Sequence, residues 1–278
     1  MIGRAWPALA ASIAAMVSAA PAAQSGGDVR SCVVIYDAAR ARTTRSDEKA
    51  CRTRLSPAST FKIPHALVAL ETKVATPDGV EQWDRTPYAN RPSWERDHTV
   101  LSAIRPSALW VFQRIAPRIG AARMHEWLAR LRYGNADTSG PIAEYWLNGR
   151  LRISPDEQVG FLRRFYANEL PLSPEHMRAV QAALVQSPGT VENSTGVHPV
   201  DGDWRSGVAL SSKTGATRTA SGEGVSWLVG ALTVDAQQYV FATAVWRASG
   251  TVDPFEATRT TVRAFIANGR LGATKRRP

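Results

Sequence analysis

Two serines and two lysines in this chain have the types and spacing that covalent acyl transfer requires. Ser59-Thr60-Phe61-Lys62 sets a hydroxyl and an amine three residues apart. An apolar helical pattern begins just after Pro57, so both side chains fall on one helix face, one turn apart. A serine in a first helical turn also has unpaired backbone N–H groups beside it, which can face an oxyanion on its acyl partner. A nucleophile beside its base is the requirement for covalent catalysis. The plain alternative is an N-cap serine with an exposed helical lysine.

Lys213-Thr214-Gly215 closes the strand-like run Val208 to Ser212, so a second ammonium is expected at a strand edge. The adjoining glycine admits close approach of a substrate backbone. Ser107-Ala108-Leu109 opens a helix after Pro106 and supplies a second hydroxyl able to relay a proton between the lysines. Tyr133-Gly134-Asn135 reads as a turn. Each tripeptide alone is common; their joint order is not. Of 34 basic residues only five are lysine, at 49, 62, 73, 213 and 275. Arginine serves elsewhere, and lysine persists where an amine must lose its proton, which guanidinium cannot do.

The elements that must position these residues divide the chain. Val33 to Tyr36 is β-rich, and Thr60 to Thr72 reads as a helix. Helical patterns follow over 107–131 (broken near Gly120), 155–167 and 174–186. Val208 to Ser212, Val225 to Val234 and Tyr239 to Trp246 are strand-like, the last two apolar on both faces. Phe255 to Ala267 closes as an amphipathic helix. A sheet built from both ends of the chain with helices inserted between is the simplest architecture, and a cleft between the two parts is the natural place for chemistry.

The motif order resembles that of the penicillin-recognising serine enzymes, and in detail the class D (oxacillinase-type) β-lactamases. The segment Pro57-Ala58-Ser59-Thr60-Phe61-Lys62-Ile63-Pro64 is similar to that class's nucleophile segment. So are Trp94-Glu95-Arg96-Asp97, Tyr133-Gly134-Asn135, Tyr145-Trp146-Leu147 and Leu151-Arg152-Ile153-Ser154 to the stretches around its other motifs. The likeness runs from about residue 30 to 268. It implies an α/β (α+β) fold: an antiparallel sheet flanked by helices, with an inserted all-helical subdomain. The sheet part would be about 28–64 and 205–278 and the helical part about 65–204.

The same resemblance implies roles. Ser59 would be acylated, and Lys62, carrying CO2 as an N6-carboxylate, would be the general base. Burial lowers an amine's pKa, and the neutral form reacts with CO2. Trp146 would donate its indole N–H to that carboxylate. Ser107 and Lys213 would pass a proton to the lactam nitrogen. Arg259 with Thr214 would hold the substrate carboxylate, and the N–H groups of Ser59 and Ala216 would form the oxyanion hole. Trp94 and Leu109 would line the mouth. Leu109 stands where the class usually has Val, Trp110 where Pro is frequent, and Ala216 where many members carry an aromatic. Val191 to Arg205 looks longer than usual, an extended loop near the cleft.

Glu144-Tyr145-Trp146-Leu147-Asn148 matches the E-x-x-L-N of class A enzymes, but their second motif is S-D-N and here it is Ser-Ala-Leu. Two other rivals acylate without fast release: a β-lactam sensor domain and a penicillin-binding transpeptidase or carboxypeptidase. The sensors are joined to membrane helices, and no apolar run here reaches the ~18 residues of a span.

Composition bounds the rest. With 44% hydrophobic and 21% charged residues in 278, the chain can bury a real core and does not read as disordered. The net charge of +10 is scattered, clustering only at Lys275-Arg276-Arg277, which argues against nucleic acid. The five histidines show no metal spacing, and no phosphate loop occurs. No cofactor beyond CO2 or bicarbonate is expected, and the partner is a small β-lactam, the protein being a monomer or homodimer. Residues 1–22 read as a secretory signal cleaved near Ala22, leaving 23–278 as a periplasmic domain. In that oxidising compartment Cys32 and Cys51 can close a loop, the alternative being two buried thiols.

Overall fold

Strand-like runs lie near both ends of the chain, and these ends meet in one sheet. A computed structural model describes residues 28–273; the expected signal segment and the basic tail at 275–277 lie outside them. In chain order the elements are β1 (Arg30–Asp37), β2 (Arg42–Arg45), α1 (Glu48–Cys51) and a 3-10 turn (Ala58–Phe61) running into α2 (Lys62–Glu71). The short strands β3 (Val80–Glu81) and β4 (His98–Thr99) flank a second 3-10 turn (Pro92–Trp94). Then come α3 (Leu109–Ile119), α4 (Ala121–Leu131), α5 (Pro155–Tyr166) and α6 (Pro174–Ala183). The hairpin β5 (Thr190–Asn193) and β6 (Gly196–Pro199) precedes β7 (Val208–Arg218), β8 (Gly224–Val234), β9 (Gln237–Arg247) and α7 (Glu256–Ala267).

The main sheet is antiparallel, in the order β2-β1-β9-β8-β7. Ile35 faces Phe241 and Val229 faces Ala242 across neighbouring strands. Alternate residues point to opposite sides, so Val34, Trp227 and Ala242 join the large core shared with the helices, while Ile35, Leu228 and Phe241 pack under α7. Both faces are therefore covered, which explains the near-continuous apolar reading of β8 and β9. Cys32 on β1 and Cys51 on α1 are joined by a disulfide, their Cα atoms 5.2 Å apart.

Three expectations are corrected. The stretch 65–204 is not all-helical, because the β3–β4 pair and the β5–β6 hairpin lie within it. Val191 to Arg205 is therefore not one extended loop, since its first part is this hairpin, turned at Ser194-Thr195. Lys213-Thr214-Gly215 does not end a strand: β7 continues to Arg218 in register with β8. Its polar residues sit on an edge strand, where an apolar pattern has no reason to mark them.

Candidate active site

The nucleophile segment is fixed from behind before any catalytic side chain is considered. Ala58 N–H donates to the Trp146 carbonyl (3.0 Å), and Trp227 Nε1 donates to the Ser56 carbonyl (2.9 Å). Thr60 Oγ1 donates to the Pro57 carbonyl (2.7 Å) and accepts from Gln158 Nε2 (2.8 Å), whose helix α5 starts with a Ser154–Glu157 capping box. Ala58 holds φ +48° and Ser107 φ +58°, left-handed conformations that non-glycine residues adopt at a cost of ~1 kcal/mol or more. Strained backbone thus immediately precedes the nucleophile and carries the second serine.

Ser59 lies in the 3-10 turn and Lys62 is the first residue of α2, so the expected single helix begins in the tighter form. Lys62 Nζ donates to Ser59 Oγ at 2.9 Å. The Lys62 side chain is wholly buried, with its ammonium position 5.2 Å from the centre of the Phe112 ring. Burial pushes its pKa down from 10.5 to about 7. Lys213 Nζ donates to Ser107 Oγ (2.5 Å) and to the Thr214 carbonyl (2.9 Å), and burial, reinforced by the Lys62 charge, holds its pKa well below the usual amine range. Ser107 is not inside a helix; it sits in the turn before α3, where the positive φ and the bond to Lys213 orient it.

These groups surround a cleft of about 200 Å³ lined by Ser59, Ser107, Thr214 and Ala216, with Trp94, Leu109 and Leu147 as its apolar walls. Ala216 and Leu109, two of the departures noted in the sequence, both face it. Gly215 is required here: a Cβ would lie 3.0 Å from Thr60 Cγ2 and 3.2 Å from both the Pro57 carbonyl oxygen and the Thr60 nitrogen. The tip of the β5–β6 hairpin adds Asn193 and Ser194 to the rim. Trp94 Nε1 donates to the Pro106 carbonyl (2.7 Å), and Trp110 Nε1 donates to the Trp94 carbonyl (3.0 Å), so Trp110 braces the wall that Trp94 forms.

Trp146 is fully buried, stacked on Phe61 with ring centres 5.6 Å apart, and its indole nitrogen has no hydrogen-bond partner. His65, one turn beyond Lys62, packs against Trp146 and Phe112 with both ring nitrogens unpartnered. Orphaned buried polar atoms are rare in folded proteins, and here three side chains carry them in one aromatic cluster around Lys62, the third being Tyr145, packed on Phe61 and Trp146. The residues fit a small, polar, anionic group on the lysine.

Tyr133-Gly134-Asn135 proves to be scaffold. Tyr133 Oη accepts from Gln158 Nε2 at 3.3 Å, and Asn135 Oδ1 accepts from Arg152 N–H at 2.9 Å. At Gly134, φ is +54° and a Cβ would lie 2.1 Å from the Arg152 carbonyl oxygen.

Arg259 is not among the residues that line the cleft. The expected carboxylate anchor is held by Asp253 and Glu256, each at 2.6 Å, and it lines the neighbouring pocket beside His198, Phe255 and Val262 instead of the cleft. Glu144, the acid of the class A reading, is likewise absent from the cleft lining. The cation that does line it is Arg91, which the sequence reading did not single out.

A family model described as the penicillin binding protein transpeptidase domain matches residues 12–267. The chain is 40% identical over 210 residues to Beta-lactamase OXA-10 of Pseudomonas aeruginosa, covering 71% of this chain and 72% of that protein. It is 36% identical over 219 residues to Probable beta-lactamase YbxI of Bacillus subtilis, covering 78% and 75%. Regulatory protein BlaR1 of Bacillus licheniformis is 36% identical over 178 residues, which is 63% of this chain but 29% of that protein. Among solved structures, a class D β-lactamase from Bacillus subtilis superposes with a TM-score of 0.73 at 33% identity, covering 87% of this chain and 92% of that one. Class D β-lactamase BAT-2 gives 0.73 at 32% identity, with the same coverage.

Proposed function

The chain belongs to the class D β-lactamases, and from that premise we propose that it hydrolyses penicillins, oxacillin among them, through an acyl-enzyme on Ser59 with carboxylated Lys62 as general base. The observation that carries the reading is the 2.9 Å contact between Ser59 Oγ and a fully buried Lys62 amine whose pKa is brought to about 7. An amine held neutral at physiological pH is the form that adds CO2, and Trp146 and His65 leave unpaired nitrogens in its enclosure. Once carboxylated, the lysine supplies a base for both halves of the reaction.

The chain's own residues supply the rest. Ser59 attacks the lactam carbonyl, and the N–H groups of Ser59 and Ala216, both on the cleft, receive the developing oxyanion. The Lys213–Ser107 pair delivers a proton to the departing lactam nitrogen, Ser107 Oγ standing 2.5 Å from Lys213 Nζ. Thr214, beside Lys213 on β7, receives the ring carboxylate. Arg259, which the family resemblance pairs with Thr214, is held by Asp253 and Glu256. An export signal at 1–22 and a periplasmic location complete the proposal.

The test is ultraviolet-monitored hydrolysis of benzylpenicillin and oxacillin, with and without bicarbonate, across mildly acid to neutral pH. Below about pH 7 the free Lys62 amine is protonated and cannot hold CO2. Turnover should therefore fall as pH drops and be restored by bicarbonate. Turnover indifferent to bicarbonate at acid pH would point to another base. One stoichiometric acylation without turnover would assign the chain the behaviour of a sensor domain, the reading favoured by its likeness to BlaR1.

A further inference from the structure

Several arginines of this chain are held by carboxylates, and Arg91, the one arginine on the cleft lining, is not. Arg259 is held by two carboxylates and Arg105 by Glu192, while Arg152 pairs with Glu223. Arg91 has no carboxylate partner among the described residues. Its Nε is sealed from solvent without an acceptor, and its guanidinium carbon lies 4.8 Å over the Trp94 ring. It lines the cleft with Ser59 and is the sole charged residue on a lining that contains no acid.

A guanidinium lying over an indole face keeps a planar fork of donors at its edge, the geometry that suits a planar carboxylate. The half-buried setting strengthens any charge contact made there. The ring carboxylate of a penicillin is met by Thr214 on β7, whereas Arg91 belongs to the wall formed by Trp94 and Leu109.

We propose that Arg91 is a specificity-determining residue, an anion-recognising subsite that selects β-lactams bearing a second carboxylate on the amide side chain. This rests on the β-lactamase reading above. Carbenicillin and benzylpenicillin provide the probe pair, since they differ by one carboxylate on the side-chain α-carbon. The ratio of their kcat/KM values (carbenicillin over benzylpenicillin) is measured for the native protein, Arg91→Gln and Arg91→Lys.

Arg91→Gln is expected to lower the ratio by about tenfold, the scale of one charge-assisted hydrogen bond, and Arg91→Lys to retain most of it. In the native protein, raising salt from about 0.05 to about 0.5 M should lower the ratio through screening, a measurement that needs no variant to fold. A ratio unmoved by both substitution and salt overturns the subsite. So does an equal fall for both substrates, which would mean that Arg91 reads the ring carboxylate they share. Absence of native turnover on either penicillin fails the hydrolase reading itself, and the subsite with it.

Discussion

His65 carries the sharpest residue-scale consequence of the buried catalytic cluster. Burial first, and the Lys62 charge second, push its pKa from 6.5 down to about 3. The unfolded chain therefore takes up a proton below about pH 6.5 that the folded chain refuses until about pH 3. Its contribution to stability is complete above pH 6.5 and is lost as pH falls toward 3. His65→Leu, apolar among Phe61, Phe112 and Trp146, should move the acid-unfolding midpoint down by on the order of half a pH unit, followed by circular dichroism. An unchanged midpoint would show that other groups set acid sensitivity. The sequence made Ser59, Lys62, Ser107 and Lys213 legible because the motifs tie their serines to lysines, of which the chain has only five. Arginine offers no such selectivity: Arg259 was implied by the family resemblance, and spacing did not foretell that Asp253 and Glu256 hold that side chain. Arg91 stayed hidden because its role depends on a stack with Trp94 and on the absence of an acid, neither of which spacing encodes.

At the scale of elements, the site is a seam between β7 and the 3-10 turn that carries Ser59. The width of that seam is set at Gly215. Gly215→Ala should press the new methyl against Thr60 and the Pro57 carbonyl oxygen, widening the seam by tenths of an ångström. Such a shift would misplace Ala216 N–H and lower kcat/KM for benzylpenicillin by about tenfold or more, while thermal unfolding changes little. A fall in melting temperature that accounts for the whole loss would refute the positional reading. The start of α5 was readable at Pro155, where capping chemistry marks it, whereas α1, capped by Asp47, was not. The extent of β7 was not. Its middle is Ser211, Ser212, Lys213 and Thr214, a polar run that ends at the cleft, so local composition conflicts with the strand these residues occupy.

Across the whole molecule, the first strand depends on the last: β1 pairs with β9 over its entire length, and β2 hangs on β1. The Cys32–Cys51 disulfide ties this early hairpin to α1, ahead of the nucleophile turn. By loop entropy it should contribute about 3 kcal/mol. Cys32→Ser with Cys51→Ser should lower the denaturant midpoint accordingly, with both site lysines still in place; equal midpoints for native and double variant would show the bond to be neutral. The overall architecture was legible because strand-like runs sit at both ends of the chain. The β5–β6 hairpin was not, since its strands are short and are joined by a two-residue turn, Ser194-Thr195, in which Asn193 Oδ1 accepts from Thr195 N–H.

The scarcity of lysine has a practical corollary. Lys62 and Lys213 are enclosed by the protein, and among the described residues only Lys49 and Lys73 present an amine to solvent. A reagent that couples to primary amines would find two anchorage points within them, one on α1 and one just beyond α2. A support or fluorophore attached there would leave the cleft open, and the tethered protein would be held in a small number of orientations.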